Sequence, residues 1–135
     1  MSFWQSKTKI KPVDKYFSEF IRLRDKECVF KVKCNGGVKY RENGEIDIRD
    51  LDNCHFFSRA KKSVRYDEFN CDAGCKKCHL WLDSTVEGKE FHKRFKIKQL
   101  GGRGYDLLEL RANQPNKIDE ESVKIYYKNI LKYKE

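Results

Sequence analysis

DNCHFFSR (residues 52–59) and NCDAGCKKCH (residues 70–79) are the two stretches whose reading decides the fold. Leu51 to Ser58 reads as a strand or its edge, with His55 near its end. Asn70 follows fifteen residues later, and His79 comes directly after Cys75-x2-Cys78. From Cys75 to about Leu100 the pattern is mostly helical, with a break expected near Asp83-Ser84. Alternation along a strand places residues 52 and 54 on one face and His55 on the other. Strand-like stretches beside helical ones read as an α+β domain.

Six cysteines stand at 28, 34, 54, 71, 75 and 78. Cys75-x2-Cys78 is a chelating spacing, because one helical turn brings both thiolates to one ion. Cys28-x5-Cys34 is the natural second pair for a closed tetrahedral zinc site. Such a structural zinc stabilises a small domain by about 10 kcal/mol or more over the metal-free chain. Buried free thiols are the plainer alternative, and His79 is a further candidate to replace Cys28 or Cys34. Cys54 and Cys71 are left over as core residues.

Outward from this centre, Pro12 precedes VDKYFSEFIRLRD, where Val13, Tyr16, Phe17, Phe20 and Ile21 fall at helical spacing. Residues 13–25 are expected to be an amphipathic helix. Cys28 to Cys34 encloses a short β-prone stretch or knuckle. VKYR and EIDIR flank Asn43-Gly44, which predicts a hairpin over residues 38–50. Phe91, Phe95 and Leu100 are expected to face the core, and His92 reads as a surface residue. Gly101-Gly102-Arg103-Gly104 reads as a flexible connector; it lacks the spacing of a phosphate-binding loop. Residues 118–133 form a second clear helix, capped by Asp119, with Tyr126, Tyr127, Ile130 and Leu131 apolar. The expected division is a basic N-terminal arm (1–12), a zinc-stapled domain (13–110) and a C-terminal helix (111–135).

The chain has 135 residues, enough for one modest core. Thirty Lys and Arg against 21 Asp and Glu give a formal charge of +9, which favours a polyanionic partner such as DNA or RNA. No stretch has the length of a membrane span, and the N-terminus lacks an apolar signal core. A cytoplasmic setting is therefore expected, where cysteines bind metal more often than they pair.

The central segments resemble the His-Asn-His nuclease motif of the ββα-metal fold, and Asn70-x4-Cys75-x2-Cys78-His79 carries that likeness. DKYFSEFIRLRDKEC, CHFFSR and VRYDEFNCDAGCKKCH are further similar to the phage recombination nucleases NinG and Rap, over roughly residues 14–110. The resemblance implies a metal-dependent endonuclease acting on branched DNA such as Holliday junctions and D-loops. The chain departs from those relatives at Cys54, where they tend to have Gly, at His79, where they tend to have Asn, and at Asp72, where they tend to have His.

The expected roles follow from phosphodiester chemistry. His55 is the candidate general base, because a neutral imidazole accepts a proton near working pH. Asn70 is expected to bond the backbone and hold His55 in place. His79 is the candidate ligand of a catalytic Mg²⁺ or Mn²⁺, with Asp52 or Cys54 beside it; the hard carboxylate fits Mg²⁺ and the thiol does not. Arg59, Lys61, Lys62 and Arg65 form a basic loop for phosphate contacts. A homodimer is one expected form, since a junction has two symmetric strands to cut. Two other functions fit the same residues: a sequence-specific homing or defence endonuclease, and a zinc module that binds DNA without cutting it.

Overall fold

Pro12 opens the first helix, where its missing N–H costs nothing. The Asp14 carboxylate accepts the Lys11 main-chain N–H at 2.6 Å and caps the first turn. The helix, α1 (Pro12–Asp25), buries Val13, Phe17 and Ile21 and ends at Lys26 in the left-handed region. In this computed structural model residues 10–115 and 118–133 are described, so residues 1–9 of the expected basic arm lie outside the described residues.

Two strands follow, β1 (Leu51–His55) and β2 (Cys71–Cys75), paired antiparallel from Leu51 opposite Cys75 to His55 opposite Cys71. Helix α2 (Lys76–Ser84) starts directly at the end of β2, and α3 (Val86–Ala112) turns back against it. Helix α4 (Glu120–Lys132) begins at Asp119, whose side chain accepts the Ser122 N–H, as the sequence predicts. The described architecture is thus α+β, a two-stranded sheet set among helices. No helix among the described residues is long and apolar enough to cross a membrane.

Three apolar clusters hold these elements. Phe17, Ile21, Cys71, Ala73 and Tyr127 join α1, β2 and α4, with Tyr127 edge-on to Phe17 at 5.1 Å. Cys28, Phe30, Cys54, Cys78 and Leu82 form a second, flanked by Phe91 and Phe95. Val64, Leu108 and Ala112 form a third beneath Phe56, Phe57 and Leu100.

Several expectations are corrected. The hairpin over 38–50 reduces to one bridge, Tyr40 with Ile46, closed by a turn in which Gly44 has φ 87°. Tyr40 is 66% exposed, so no buried face stabilises a longer ladder there. β1 stops at His55, because the Phe56 and Phe57 N–H groups turn to the Asn70 main-chain and side-chain oxygens instead. Of the two readings of Cys28 to Cys34, the β-prone stretch is not formed and the segment bends as a knuckle. The glycines at 101, 102 and 104 lie within α3, and Gly101 (φ 77°, ψ 164°) kinks it into two helical arms. His92 is buried at 4% exposure, not on the surface.

Candidate active groove and thiolate cluster

The connection between β1 and β2 carries the first half of the site. Two short 3-10 turns, Lys62–Val64 and Glu68–Asn70, fold it back over the strand end. Asn70 is fully buried, and its amide spans the loop. Its Nδ2 donates to the Phe57 carbonyl at 2.9 Å and the Val64 carbonyl at 3.1 Å, while its Oδ1 accepts from Phe57 N–H at 2.8 Å. From below, the buried Lys96 ammonium donates to the Phe69 carbonyl at 2.6 Å, compensated by its ion pair with Asp72. A buried cation tolerates this position only because that partner and Gln99 meet it.

His55 sits against the next carbonyl. Its Nε2 lies 3.0 Å from the Arg65 carbonyl oxygen. A carbonyl only accepts, so Nε2 carries the proton and Nδ1 carries the lone pair. No hydrogen bond among the described residues engages Nδ1. Burial holds the ring neutral, with its pKa pushed down to about 4.

Arg65 itself departs from expectation. Its guanidinium is buried and grips the Asp14 carboxylate through Nε at 3.0 Å and Nη2 at 2.7 Å. It is therefore a structural clamp between the loop and α1, not a phosphate contact. The pair fixes the residue whose carbonyl orients His55. Lys61 and Lys62 are exposed but do not line the groove described below, and the Lys61 ammonium donates to Asn113 Oδ1 at 3.4 Å. Arg59 does line the groove.

The second half of the site stands on α2. A groove of about 1690 Å³ runs between α1, the end of β1 and the α2–α3 corner. Asp52, His55, Arg59, His79 and Asp83 all line it, so Asp52 and His55 reach one groove despite the alternation expected along the strand. His79 Nδ1 is 2.9 Å from Asp52 Oδ2, and its Nε2 is 3.2 Å from Asp83 Oδ2. Both nitrogens donate only in the imidazolium form. The Asp52 and then the Asp83 hydrogen bond raise the His79 pKa to about 9. Burial works against the Asp52 charge, but bonds from His79 and Lys76 outweigh it and keep that carboxyl below its ordinary value.

This donor set fits a divalent cation only in part, because the imidazolium has no lone pair on either nitrogen and must give up its Nδ1 proton before it can ligate. Two donors held in adjacent octahedral positions at about 2.1 Å lie roughly 3 Å apart, and the Asp52–His79 pair has that spacing. Asp83 meets the opposite ring nitrogen and does not converge on the same point. A cation there would have two protein ligands, the rest being water and substrate oxygens, as is usual for Mg²⁺. Cys54 is excluded from the set. It is 1% exposed, packed with Phe30 beneath Gly74, and burial keeps it a thiol.

The four cysteines expected to bind zinc do come together. The sulfurs of Cys28, Cys34, Cys75 and Cys78 all lie within 4.8 Å of one another, and no other group among the described residues brings three such donors together. Main-chain N–H groups already point at two of them: Lys33 to Cys78 at 3.3 Å, and Cys78 to Cys75 at 3.4 Å. Burial pushes the Cys28 thiol up, yet N–H donation from Lys31 and Cys75 outweighs it and leaves the group near 7. Such donors stabilise thiolate, the form a soft cation binds. The cluster can hold a metal ion such as zinc.

Asp83 and Asp14 were not singled out from sequence. Asp83 had a signal, lying four residues after His79 on one helix face. Asp14 had none, since its partner is 51 positions away. No family model, no curated protein and no solved structure matches this chain.

Proposed function

We propose that this chain is a metal-dependent DNA endonuclease of the His-Asn-His, ββα-metal class, stapled by a structural zinc and acting on branched recombination intermediates. The observation that carries the reading is the Nε2 contact of His55 with the Arg65 carbonyl, which leaves a neutral imidazole with its basic nitrogen uncommitted. The succession β1, β2, α2 supports the finger assignment, with His55 on the first strand and His79 on the helix. The formal charge of +9 supports a nucleic-acid substrate. The preference for branched DNA rests on the resemblance over residues 14–110.

His55 Nδ1 takes a proton from water as the water oxygen bonds to phosphorus and the P–O3′ bond breaks. The products are a 5′ phosphate and a 3′ hydroxyl, the latter protonated by solvent. Asn70 and the Arg65 carbonyl keep the imidazole in register, and Arg59 faces the anionic substrate. Asp52 and a deprotonated His79 would hold Mg²⁺ or Mn²⁺, which would supply charge neutralisation for the phosphate and the departing oxygen.

The test is cleavage of a four-way junction and a matched linear duplex with Mg²⁺ or Mn²⁺. His55→Ala is expected to lose about 10²–10⁴-fold in rate, with unchanged circular dichroism and zinc content. Equal rates in the parent and the variant refute His55 as base. Cleavage of the linear duplex at one sequence, with the junction ignored, favours the homing or defence alternative.

A further inference from the structure

A second basic cleft opens on the zinc side of α2. It has a volume of about 620 Å³ and lies between the Cys28–Lys39 segment and the first turn of α2. Lys33, Lys39, Lys76 and Lys77 line it, against Asp50 as its one acidic side chain. All four lysines are exposed. Among the described residues, Lys39 and Lys77 make no ion pair. Lys33 lies over the Trp81 ring at 5.0 Å, which aligns its ammonium at the cleft wall. Lys76 lines both this cleft and the candidate active groove, so the two basic surfaces are continuous across one residue.

Lys76 is ion-paired with Asp52 at 2.7 Å, which leaves Lys33, Lys39 and Lys77 facing Asp50, and three cations in a concave wall concentrate positive potential where isolated surface lysines do not. Among the described residues, no ion pair or side-chain hydrogen bond engages the Lys39 or Lys77 ammonium. A metal ion on the cysteine cluster would tie the wall together, because Cys34 follows Lys33 and Cys75 and Cys78 flank Lys76 and Lys77 in sequence. A rigid basic wall that continues the groove suits a stiff, regularly charged polyanion better than a fluid lipid surface.

We propose that this cleft binds a second stretch of DNA backbone, outside the segment being cut, so that the zinc knuckle holds one arm of the substrate while the groove engages the scissile strand. The proposal rests on the nuclease reading for its partner but not for its surface, and the two are separable by experiment.

The experiment uses the full zinc-loaded chain with a labelled four-way junction, read by fluorescence anisotropy with Ca²⁺ in place of Mg²⁺. Each phosphate contact contributes about 0.9 to the slope of log affinity against log salt. Lys39→Gln with Lys77→Gln is expected to reduce that slope by about 1.8, so the parent loses about twelvefold more affinity than the variant between about 50 and 200 mM salt. Lys39→Arg with Lys77→Arg is expected to restore the slope, and the cleavage rate at saturating junction with Mg²⁺ is expected to stay at the parent's value. Should the double variant fail to load zinc, Lys39→Gln alone is read against a change of about 0.9. An unchanged slope, or an Arg pair as weak as the Gln pair, overturns the cleft and leaves the nuclease reading intact. A reduced slope in a protein that cuts no DNA upholds the cleft and overturns the nuclease reading. Binding of the parent to phosphatidylserine vesicles and to no DNA overturns both.

Discussion

His92 carries a pH dependence that its place on α3 makes readable. Its ring is edge-on to Phe30 at 5.2 Å and Phe56 at 5.0 Å, and its Nε2 has no hydrogen-bond partner among the described residues. Burial, then the nearby Lys96 charge, push its pKa down to about 4. In the unfolded chain it titrates near 6.5, so the unfolded state binds more protons between those values. The folded state is fully favoured by this group above pH 6.5 and loses that advantage as pH falls toward 4. The difference in urea-unfolding free energy between the parent and His92→Phe is expected to shift by about 3 kcal/mol across that window. Parallel pH profiles for the two proteins refute the assignment. In the sequence His92 and Lys96 lie beside Phe91 and Phe95 on the helical wheel, but their polarity masks a buried face. Arg65 misleads for a different reason: a basic residue in a basic loop reads as a phosphate contact until its distant carboxylate is seen.

Among elements, the α2–α3 corner depends on one small residue. A Cβ at Gly88 would collide with the Trp81 carbonyl and crowd the Thr85 hydroxyl, which itself caps α3 through the Gly88 N–H at 2.8 Å. The obstruction is backbone, so it cannot swing aside. Gly88→Ala is expected to destabilise the fold by about 2–3 kcal/mol, the range of an overpacked core site, despite the better helix propensity of Ala; a midpoint in urea at or above the parent's refutes this. Elements with a strong apolar period, α1 and α4, are legible in the sequence because burial and period coincide at Val13, Phe17, Ile21 and Tyr127. The 38–50 hairpin is not, since Asn43-Gly44 specifies a turn while Val38 and Tyr40 stay exposed on its first arm. The glycines after Leu100 read as a break, and Gly101 is one in dihedral terms, but the chain on both sides stays helical.

At the scale of the molecule, α2 joins two sites. Cys75 and Cys78 face the thiolate cluster and His79, one residue on, faces the groove. The four cluster cysteines were legible from spacing, with Cys54 and Cys71 left over as core thiols; that Cys54 does not join a catalytic cation was not, because only its packing shows it buried away from the groove. One zinc per chain is expected by metal analysis. Cys28→Ser, Cys34→Ser, Cys75→Ser and Cys78→Ser are each expected to lose it, while Cys54→Ala and Cys71→Ala keep it. Chelation is expected to lower thermal stability sharply, since binding energy of about 10 kcal/mol is coupled to folding. A chain that folds equally well with and without the ion refutes a structural metal.

The kink at Gly101 gives the far arm of α3 a task of its own. That arm places Leu108 and Ala112 on Val64, and its Arg111 carbonyl accepts the Ser63 hydroxyl at 2.6 Å. These contacts brace the turn whose end supplies the Arg65 carbonyl. The far arm beyond a single bent glycine thus buttresses the carbonyl against which the β1 imidazole rests, linking that ring to a pivot 46 positions further along the chain.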